Sequence, residues 1–470
     1  MKKYRNVLVH GNFEVMHTGH VRLFAYAKEL GKKLLIGLSV IGLSSEEIAR
    51  REDALRSSSW VDDVIKFTDL VSLIKELKPD IVVKGREFIN SYNVEEDVMA
   101  QYGGQVIYHS GQEGVPQTEL KRKVFDKPHI MQEYLSSYLH RNLIDIENLE
   151  KRIDAIANLR VLVVGDVIID QYTECQAIGM SQESISLVAK PIENKFYLGG
   201  AGIVAAHCTG FGCRTDFLTI LGNDEESRLA EDLLAKYGVT SHIVRDPTHP
   251  TVLKQRFRSG PQVLFRLNRF RQEGFTRLIR STFNDTYKDI LKNYDCVIFS
   301  DFSYGVFEDK ESRKLVNLAK QSGLFVSADS QSSSQTGSLE SFYGADLITP
   351  TEREARIEVK SREGLYVLSQ EALKAFGAKF IFLTLGSDGI LMSALNFRTD
   401  YIPALNDNPI DLAGAGDSLL SVSTLMLAQG SSAYEAGLMG SIAAAMQVST
   451  LGNSPLSVLD LKSLLREIFS

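Results

Sequence analysis

Two short stretches of this 470-residue chain carry residue types whose spacing suits phosphate chemistry. The first is Asp411-Leu-Ala-Gly-Ala-Gly-Asp417, set between a polar, turn-like run at 403–409 and a helical pattern beginning at Ser418. Gly414, Ala415 and Gly416 are small enough to let backbone N–H groups approach a phosphate, and the positive end of the following helix favours charge building on a transferring phosphoryl group. Asp417, at the mouth of that helix, can take the proton of an attacking hydroxyl, the base that phosphoryl transfer to an alcohol needs. The same residues also fit a close-packed turn with Asp417 as its N-cap. The second stretch is Gly11-Asn-Phe-Glu-Val-Met-His-Thr-Gly-His20. His17 and His20, three apart at a helix start, turn both rings toward any anion at the helix N-terminus, and Gly19 leaves room for it.

Elements must hold these stretches in place. Residues 6–10 form a short apolar run suited to a buried parallel strand, followed by the Gly11 to His20 turn and a helix over 21–30 closed by Gly31. Strands are predicted over 33–39, 60–67, 81–86 and 103–108, with helices over 48–59 and 70–77. Arg50, Arg51 and Arg56 read as an exposed helix face or as cations for a phosphate. Alternating strands and helices, with ligands at the strand C-termini, predict a doubly wound sheet. Gly11, Phe13, His17, Gly19 and His20 give this region a resemblance to the cytidylyltransferase-like nucleotidyltransferases, whose signature is Gly-x-Phe-Asp-x-x-His-x-Gly-His; Glu14 stands where the family has Asp. The resemblance implies a Rossmann-like fold in which His17 and His20 stabilise an α-phosphate under attack and Gly11 and Phe13 shape the turn. It further implies Lys84 and Gly85 beside the nucleotide, Thr118 as the hydroxyl at the triphosphate-capping helix start, and ATP or CTP as nucleotidyl donor with pyrophosphate leaving.

Residues 126–159 are helical in pattern and free of Gly, which predicts a semi-rigid connector between a first domain at 1–125 and a second at 160–470. The second domain opens on a strand at 161–165 and a turn carrying Asp166 and Asp170, the latter placed to bind sugar hydroxyls. Residues 172–196 alternate as a small sheet would, and Leu198-Gly-Gly-Ala-Gly202 opens a helix. Gly165-Asp-Val-x-x-Asp170, Gly199-Gly200-Ala201 and the Asp411 to Asp417 signature, in that order, resemble the ribokinase-like sugar kinases of the PfkB family. The resemblance implies a ribokinase-like α/β domain with a small β lid, Asp417 as base, Gly414, Ala415 and Gly416 as anion hole, and Asp170, Gly199 and Gly200 at the sugar. It places Thr384, Gly386 and Gly389 against ATP, the phosphate donor, and Glu354 by Mg²⁺ through water. The segment with Lys254 and Arg256, and Ser300 to Gly305, resemble the heptose-phosphate kinase half of the bifunctional heptose kinase and ADP-heptose synthase family, which makes Lys254 a substrate contact. Here the domain order is reversed. Ile203 replaces a frequent Asn, and Asp329-Ser-Gln replaces Asp-Pro-Lys, which removes a cation.

A charged fraction of 24% and a net charge of -7 describe a soluble globular chain without a basic face for nucleic acid. No signal-peptide core or membrane-length apolar run is present, and Cys175, Cys208, Cys213 and Cys296 are scattered, so a cytoplasmic protein with reduced thiols is expected. The combined expectation is a bifunctional sugar-activating enzyme that binds a sugar or sugar phosphate and nucleotides and forms a homodimer. The alternative is a sugar kinase whose N-terminal domain only binds nucleotide or dimerises. Pairing an ATP-dependent kinase with a nucleotidyltransferase would serve nucleotide-sugar and surface polysaccharide synthesis.

Overall fold

The computed structural model describes residues 4–14, 16–85, 88, 93–109, 128–181, 186–260, 262–271, 273–307, 309–331, 338–395 and 397–469. The chain forms two compact units: Met1–Arg141 with Thr351–Ala375 and Leu383–Pro403, and Asn142–Pro350 with Phe376–Phe382 and Ala404–Ser470.

In the first unit, five parallel strands, β1 (Tyr4–Gly11), β2 (Gly31–Ser39), β3 (Asp63–Phe67), β4 (Ile81–Gly85) and β5 (Gln105–His109), lie in the order β3-β2-β1-β4-β5. Their centres are short aliphatic runs with Val7, Leu8, Leu34, Ile36, Ile81 and Val82 wholly buried, as strands covered on both faces require. The order reverses at β1, so the loop leaving β1 opens at a topological switch point, and that loop carries Gly11 to His20. Arg51 departs from the exposed face expected of it. It is 4% exposed, and its Nη1 donates to Asn12 O at 2.9 Å, bracing this loop from below.

The connector expected over 126–159 is two helices, Pro128–Arg141 and Ile146–Ala155, and not one continuous rod. The break needs no glycine: Leu143 takes φ 54° and Asp145 caps the second helix through Asn148 N–H at 2.8 Å. The first helix belongs to the first unit, where Arg141 donates twice to the buried Asp400 at 2.9 Å and lies over the Trp60 ring. The second belongs to the second unit, where Arg152 pairs with Glu435 at 3.2 Å.

The second unit is built on a parallel sheet of β6 (Arg160–Gly165), β9 (Arg214–Leu221), β10 (Thr240–Arg245), β13 (Cys296–Asp301), β14 (Phe325–Ser330) and β15 (Leu347–Ile348), in the order β10-β9-β6-β13-β14-β15. Helices Ala201–Gly210, Ala415–Ala428 and Ala433–Gln447 are buried along most of their length, and their near-absence of charge reflects that position. A separate four-stranded sheet, β12-β11-β7-β8, uses β7 (Val167–Met180), β8 (Leu187–Gly200), β11 (Val252–Ser259) and β12 (Gln262–Arg269). The β layer read from residues 172–196 is therefore half of this sheet. The other half, β11 and β12, arrives from well beyond it in the chain, a pairing that local alternation does not reveal.

Candidate active sites

Helix Ala415–Ala428 begins three residues before the start indicated by the sequence, and Gly414, not Asp417, is its N-cap. Gly414 adopts φ 78°, and a Cβ there would overlap Asn453 Oδ1, so a residue with a side chain is excluded twice. Ser418 N–H donates to Gly414 O at 2.9 Å and starts the helical ladder. Ala415, Gly416 and Asp417 are thus first-turn residues whose N–H groups have no intrahelical acceptor, and a Cβ placed on Gly416 would meet no described atom within 4 Å. That is the geometry of an anion hole.

Asp417 is itself a first-turn residue of this helix. It is 5% exposed, and Oδ1 has no hydrogen-bond partner among the described residues. Burial pushes its pKa up to about 7, with Lys254 opposing the rise and Asp170 adding to it. A helix N-terminus alone would favour the charged carboxylate, so desolvation is the larger effect here.

Asp170 stands at the start of the lid sheet. Arg256 Nη1 donates to its Oδ1 at 2.5 Å and Asn453 Nδ2 approaches Oδ2 at 3.5 Å. A Cβ at Gly199 would collide with Asp170 Oδ2, which explains the glycine opposite it; Gly200 then caps helix Ala201–Gly210. Lys254 lies over the rings of Phe302 and Tyr304 at 5.4 and 5.3 Å. Asp411 ties the anion-hole loop down, accepting from Ala413 N–H at 3.1 Å, Gly452 N–H at 3.1 Å and Tyr172 O–H at 2.7 Å. Asp166, expected as a turn residue, is buried and accepts from the N–H groups of Phe302, Tyr304 and Val306, so it shapes the Ser300 to Gly305 loop. Ile203 is wholly buried in its helix.

The first unit holds Thr351, Glu354, Thr384 and the Gly386–Gly389 turn. Thr351 caps helix Glu352–Val359, and the Glu354 Oε2 atom accepts from Thr351 N–H at 2.9 Å and Oγ1 at 2.8 Å, a capping box. Glu354 is thereby fixed at the helix mouth. Among the described residues no group of three or more His, Cys, Asp or Glu is arranged to hold a metal. Thr351 bridges Thr384, and the turn Gly386–Asp388 follows, closed by Gly389 N–H to Gly386 O at 3.1 Å. Asp388 in this turn accepts from Arg22 at 2.8 Å and from Thr18 at 3.2 Å. The helix that carries the histidine pair is therefore fastened to the Gly386–Gly389 turn, which sequence reading missed because the partners lie more than 360 residues apart.

At that histidine pair, His17 is the N-cap of helix Thr18–Leu30 and its Nδ1 accepts from Gly19 N–H at 3.1 Å. His20 Nδ1 accepts from His17 N–H at 3.4 Å, and the ring centroids are 4.2 Å apart. With both Nδ1 atoms accepting, each ring is left with Nε2–H as its donor. Burial, and then the neighbouring His17, lower the His20 pKa to about 4, so that ring is neutral across the physiological range. Phe13 holds φ 46° and packs its ring edge-on against His20 at 5.9 Å; the Gly11 position contacts the same ring. Lys84, expected to face a nucleotide, donates to Glu95 at 2.6 Å and to Asn93 at 2.5 Å, and His10 Nε2 lies 2.7 Å from the same Glu95 oxygen. These partners draw the Glu95 pKa down to about 2 against the burial that opposes ionisation. Glu95 and Asn93 lie at the start of a short helix and carried no recognisable sequence signal. Gly85 ends β4 opposite His109. Thr118 lies outside the described residues.

Against known proteins, a family model described as pfkB family carbohydrate kinase matches residues 158–458, and one described as Cytidylyltransferase-like matches residues 8–108. The chain is 29% identical to the Bifunctional protein HldE of Alcanivorax borkumensis, over 66% of this chain and 64% of that protein. It is 28% identical to the Bifunctional protein HldE of Haemophilus influenzae, over 65% of this chain and 63% of that protein. The matched stretch thus spans under two thirds of these relatives. Among solved structures, phosphofructokinase-2 from Escherichia coli superposes with a TM-score of 0.55 at 17% identity, covering 66% of this chain and 100% of that one. Ribokinase from Thermotoga maritima gives 0.52 at 22% identity, covering 66% and 99%. Both are similar in fold.

Proposed function

From the premise that the chain belongs to the pfkB family of carbohydrate kinases and carries a cytidylyltransferase-like region ahead of it, we propose a bifunctional sugar-activating enzyme. The C-terminal part transfers the γ-phosphoryl group of ATP to a sugar or sugar phosphate of the heptose 7-phosphate type. The N-terminal part joins ATP or CTP to the resulting sugar 1-phosphate and releases pyrophosphate, for nucleotide-sugar and surface polysaccharide synthesis. The observation that carries the kinase reading is Asp417: a buried carboxylate with an unpartnered oxygen, in a first helical turn whose N–H groups have no intrahelical acceptor.

In the kinase step, Asp170 and Gly199 hold the acceptor, and Asp417 takes the hydroxyl proton as that oxygen bonds to the γ-phosphorus and the bond to ADP breaks. The N–H groups of Ala415, Gly416 and Asp417 receive the charge on the transferring oxygens. Thr384, Gly386 and Gly389 are read as the turn against the nucleotide. Mg²⁺, held near Glu354 through water, would neutralise phosphate charge. In the transferase step, a sugar phosphate oxygen attacks the α-phosphorus and pyrophosphate leaves, with the Nε2–H groups of His17 and His20 donating to the α-phosphate. Lys84, fixed by Glu95, and Gly85 flank the nucleotide in this reading.

Buried, unpaired Cys175, Cys208, Cys213 and Cys296 support a reducing, cytoplasmic setting. No helix among the described residues is long and apolar enough to cross a membrane. The lid exposes Ile178 (64%), Ile192 (67%) and Phe265 (52%), which supports a homodimer closed through that sheet. The test is separate assay of ADP and pyrophosphate release in Asp417→Asn and His17→Ala: each variant should lose one activity and keep the other. Loss of kinase activity alone, with no pyrophosphate release by the wild type on ATP or CTP with any sugar 1-phosphate, would favour the reading in which the N-terminal region only binds nucleotide.

A further inference from the structure

The loop that ends in the histidine pair is gripped by residues lying outside the Cytidylyltransferase-like match, which covers residues 8–108. They come from 363–388, within the stretch that matches the carbohydrate kinases, and belong to the same unit as the loop. Met16, 2% exposed and immediately before His17, accepts through its carbonyl from Leu365 N–H at 2.5 Å. A Cβ at Gly364 would lie 1.9 Å from Met16 N and 2.4 Å from its Cα, so only glycine lets the two backbones come this close. Arg50 reaches the same stretch, at 2.9 Å from Glu363 and 3.6 Å from Glu371, and its neighbour Arg51 is the residue bonded to Asn12 O.

Past the loop, Asp388 holds the first turns of the helix. Thr18 Oγ1 and Arg22 Nη2 donate to its two carboxylate oxygens at 3.2 and 2.8 Å, and Tyr401 O–H donates to its carbonyl. At about 100° per residue, Thr18 and Arg22 share one side of the helix and His17 and His20 another. Asp388 therefore grips the helix away from the rings, and its effect on them passes through the backbone.

We propose that Gly364, Leu365 and Asp388 are positioning residues for nucleotidyl transfer at His17 and His20, so that the transferase site is completed by a segment of the carbohydrate-kinase stretch. The assignment rests on the transferase reading above and adds to it the residues that set where the rings stand. Gly364 has the largest share. A methyl group 1.9 Å from a backbone nitrogen must part the two backbones by about 1 Å, and a displacement of that size at a reacting centre costs about 10²-fold. Asp388 has a smaller one, because its side chain is 40% exposed and that of Arg22 35%.

The experiment uses the full chain with its histidines labelled at Cε1. The ring resonances of His17 and His20 are followed by NMR beside pyrophosphate release from ATP or CTP with a panel of sugar 1-phosphates. Gly364→Ala should lower kcat for pyrophosphate release about 10²-fold with KM for the nucleotide within about threefold, leave ADP formation at the wild-type rate, and shift both ring resonances. Asp388→Ala should lower the same kcat about fivefold and shift the same resonances, and Asp388→Asn, which keeps the shape and one acceptor oxygen, should recover part of the loss. Asp388→Ala replaces a surface side chain, so it keeps the test open if Gly364→Ala does not fold. Ring resonances left in place by Asp388→Ala would overturn the proposal, as would equal losses of ADP and pyrophosphate formation in Gly364→Ala. No pyrophosphate from the wild type on any acceptor, with the ring shifts intact in the variants, would instead refute the transferase reading and leave the positioning of the pair standing.

Discussion

The mouths of helices Thr18–Leu30 and Ala415–Ala428 solve one problem with opposite residues. In the proposed reading each receives an anion, and each carries a titratable side chain whose charged form burial disfavours. At the first, burial keeps a histidine from taking a proton, lowering His20 to about 4. At the second, burial keeps a carboxylate from losing one, raising Asp417 to about 7. Desolvation is the leading cause in both. The two outcomes suit the two proposed chemistries: a neutral ring donates a hydrogen bond to a phosphate without transferring a proton, whereas a carboxylate near neutrality can accept one.

The contrast is broken most sharply at Asp417. Asp417→Asn removes the proton acceptor and keeps the shape, so ADP formation should fall by about 10³-fold while pyrophosphate release stays at the wild-type rate. The matching change, His20→Ala, removes a donor to the α-phosphate and should lower pyrophosphate release by about 10²-fold with ADP formation intact. A change that moved both activities together would erase the distinction between the two mouths.

Titration sharpens the comparison. The kinase rate should rise with pH and level off above about 7, as Asp417 ionises, whereas the transferase rate should show no step from His20 between pH 5 and 8. Stability follows the same groups in opposite directions. Asp417 binds its proton more tightly when folded, so its contribution is full below the ordinary carboxylate pKa and is lost as pH rises through about 7. The ionised, buried form then costs about 4 kcal/mol. Asp417→Asn should therefore melt higher than the wild type at pH 8 and close to it at pH 4, read by calorimetry. His20, lowered instead, contributes above the ordinary histidine pKa and loses that contribution as pH falls through about 4.

Smaller effects should come from the supports. Glu95→Gln releases the charge that holds Lys84 and His10, and should raise KM for the nucleotidyl donor about tenfold with little change in the kinase. Arg22→Ala unfastens the Gly386–Gly389 turn, and should raise the kinase KM for ATP about threefold, the exposed ion pair being weak.

What was legible in the sequence was whatever local pattern dictates. The five strands of the first unit and β6 follow from short apolar runs, and Gly414 to Asp417 and His17 to His20 lie where their spacing placed them, at helix mouths. The helix start at Ala415 was misplaced because a glycine in left-handed backbone can itself be the cap, and composition does not distinguish that from a longer turn. The connector divided because Leu143 adopts a conformation no sequence rule assigns to leucine. Arg51, Glu95 and Asp388 were unreadable for a different reason. Their partners, Asn12, Lys84 and Arg22, are set by tertiary packing, which a one-dimensional pattern does not contain.

The most direct test is a crystal structure of the full chain with a non-hydrolysable ATP analogue. The account predicts bound phosphate oxygens within hydrogen-bond distance of the Ala415 and Gly416 N–H groups, and others at the Nε2 atoms of His17 and His20. Phosphates bound away from both helix mouths would contradict it.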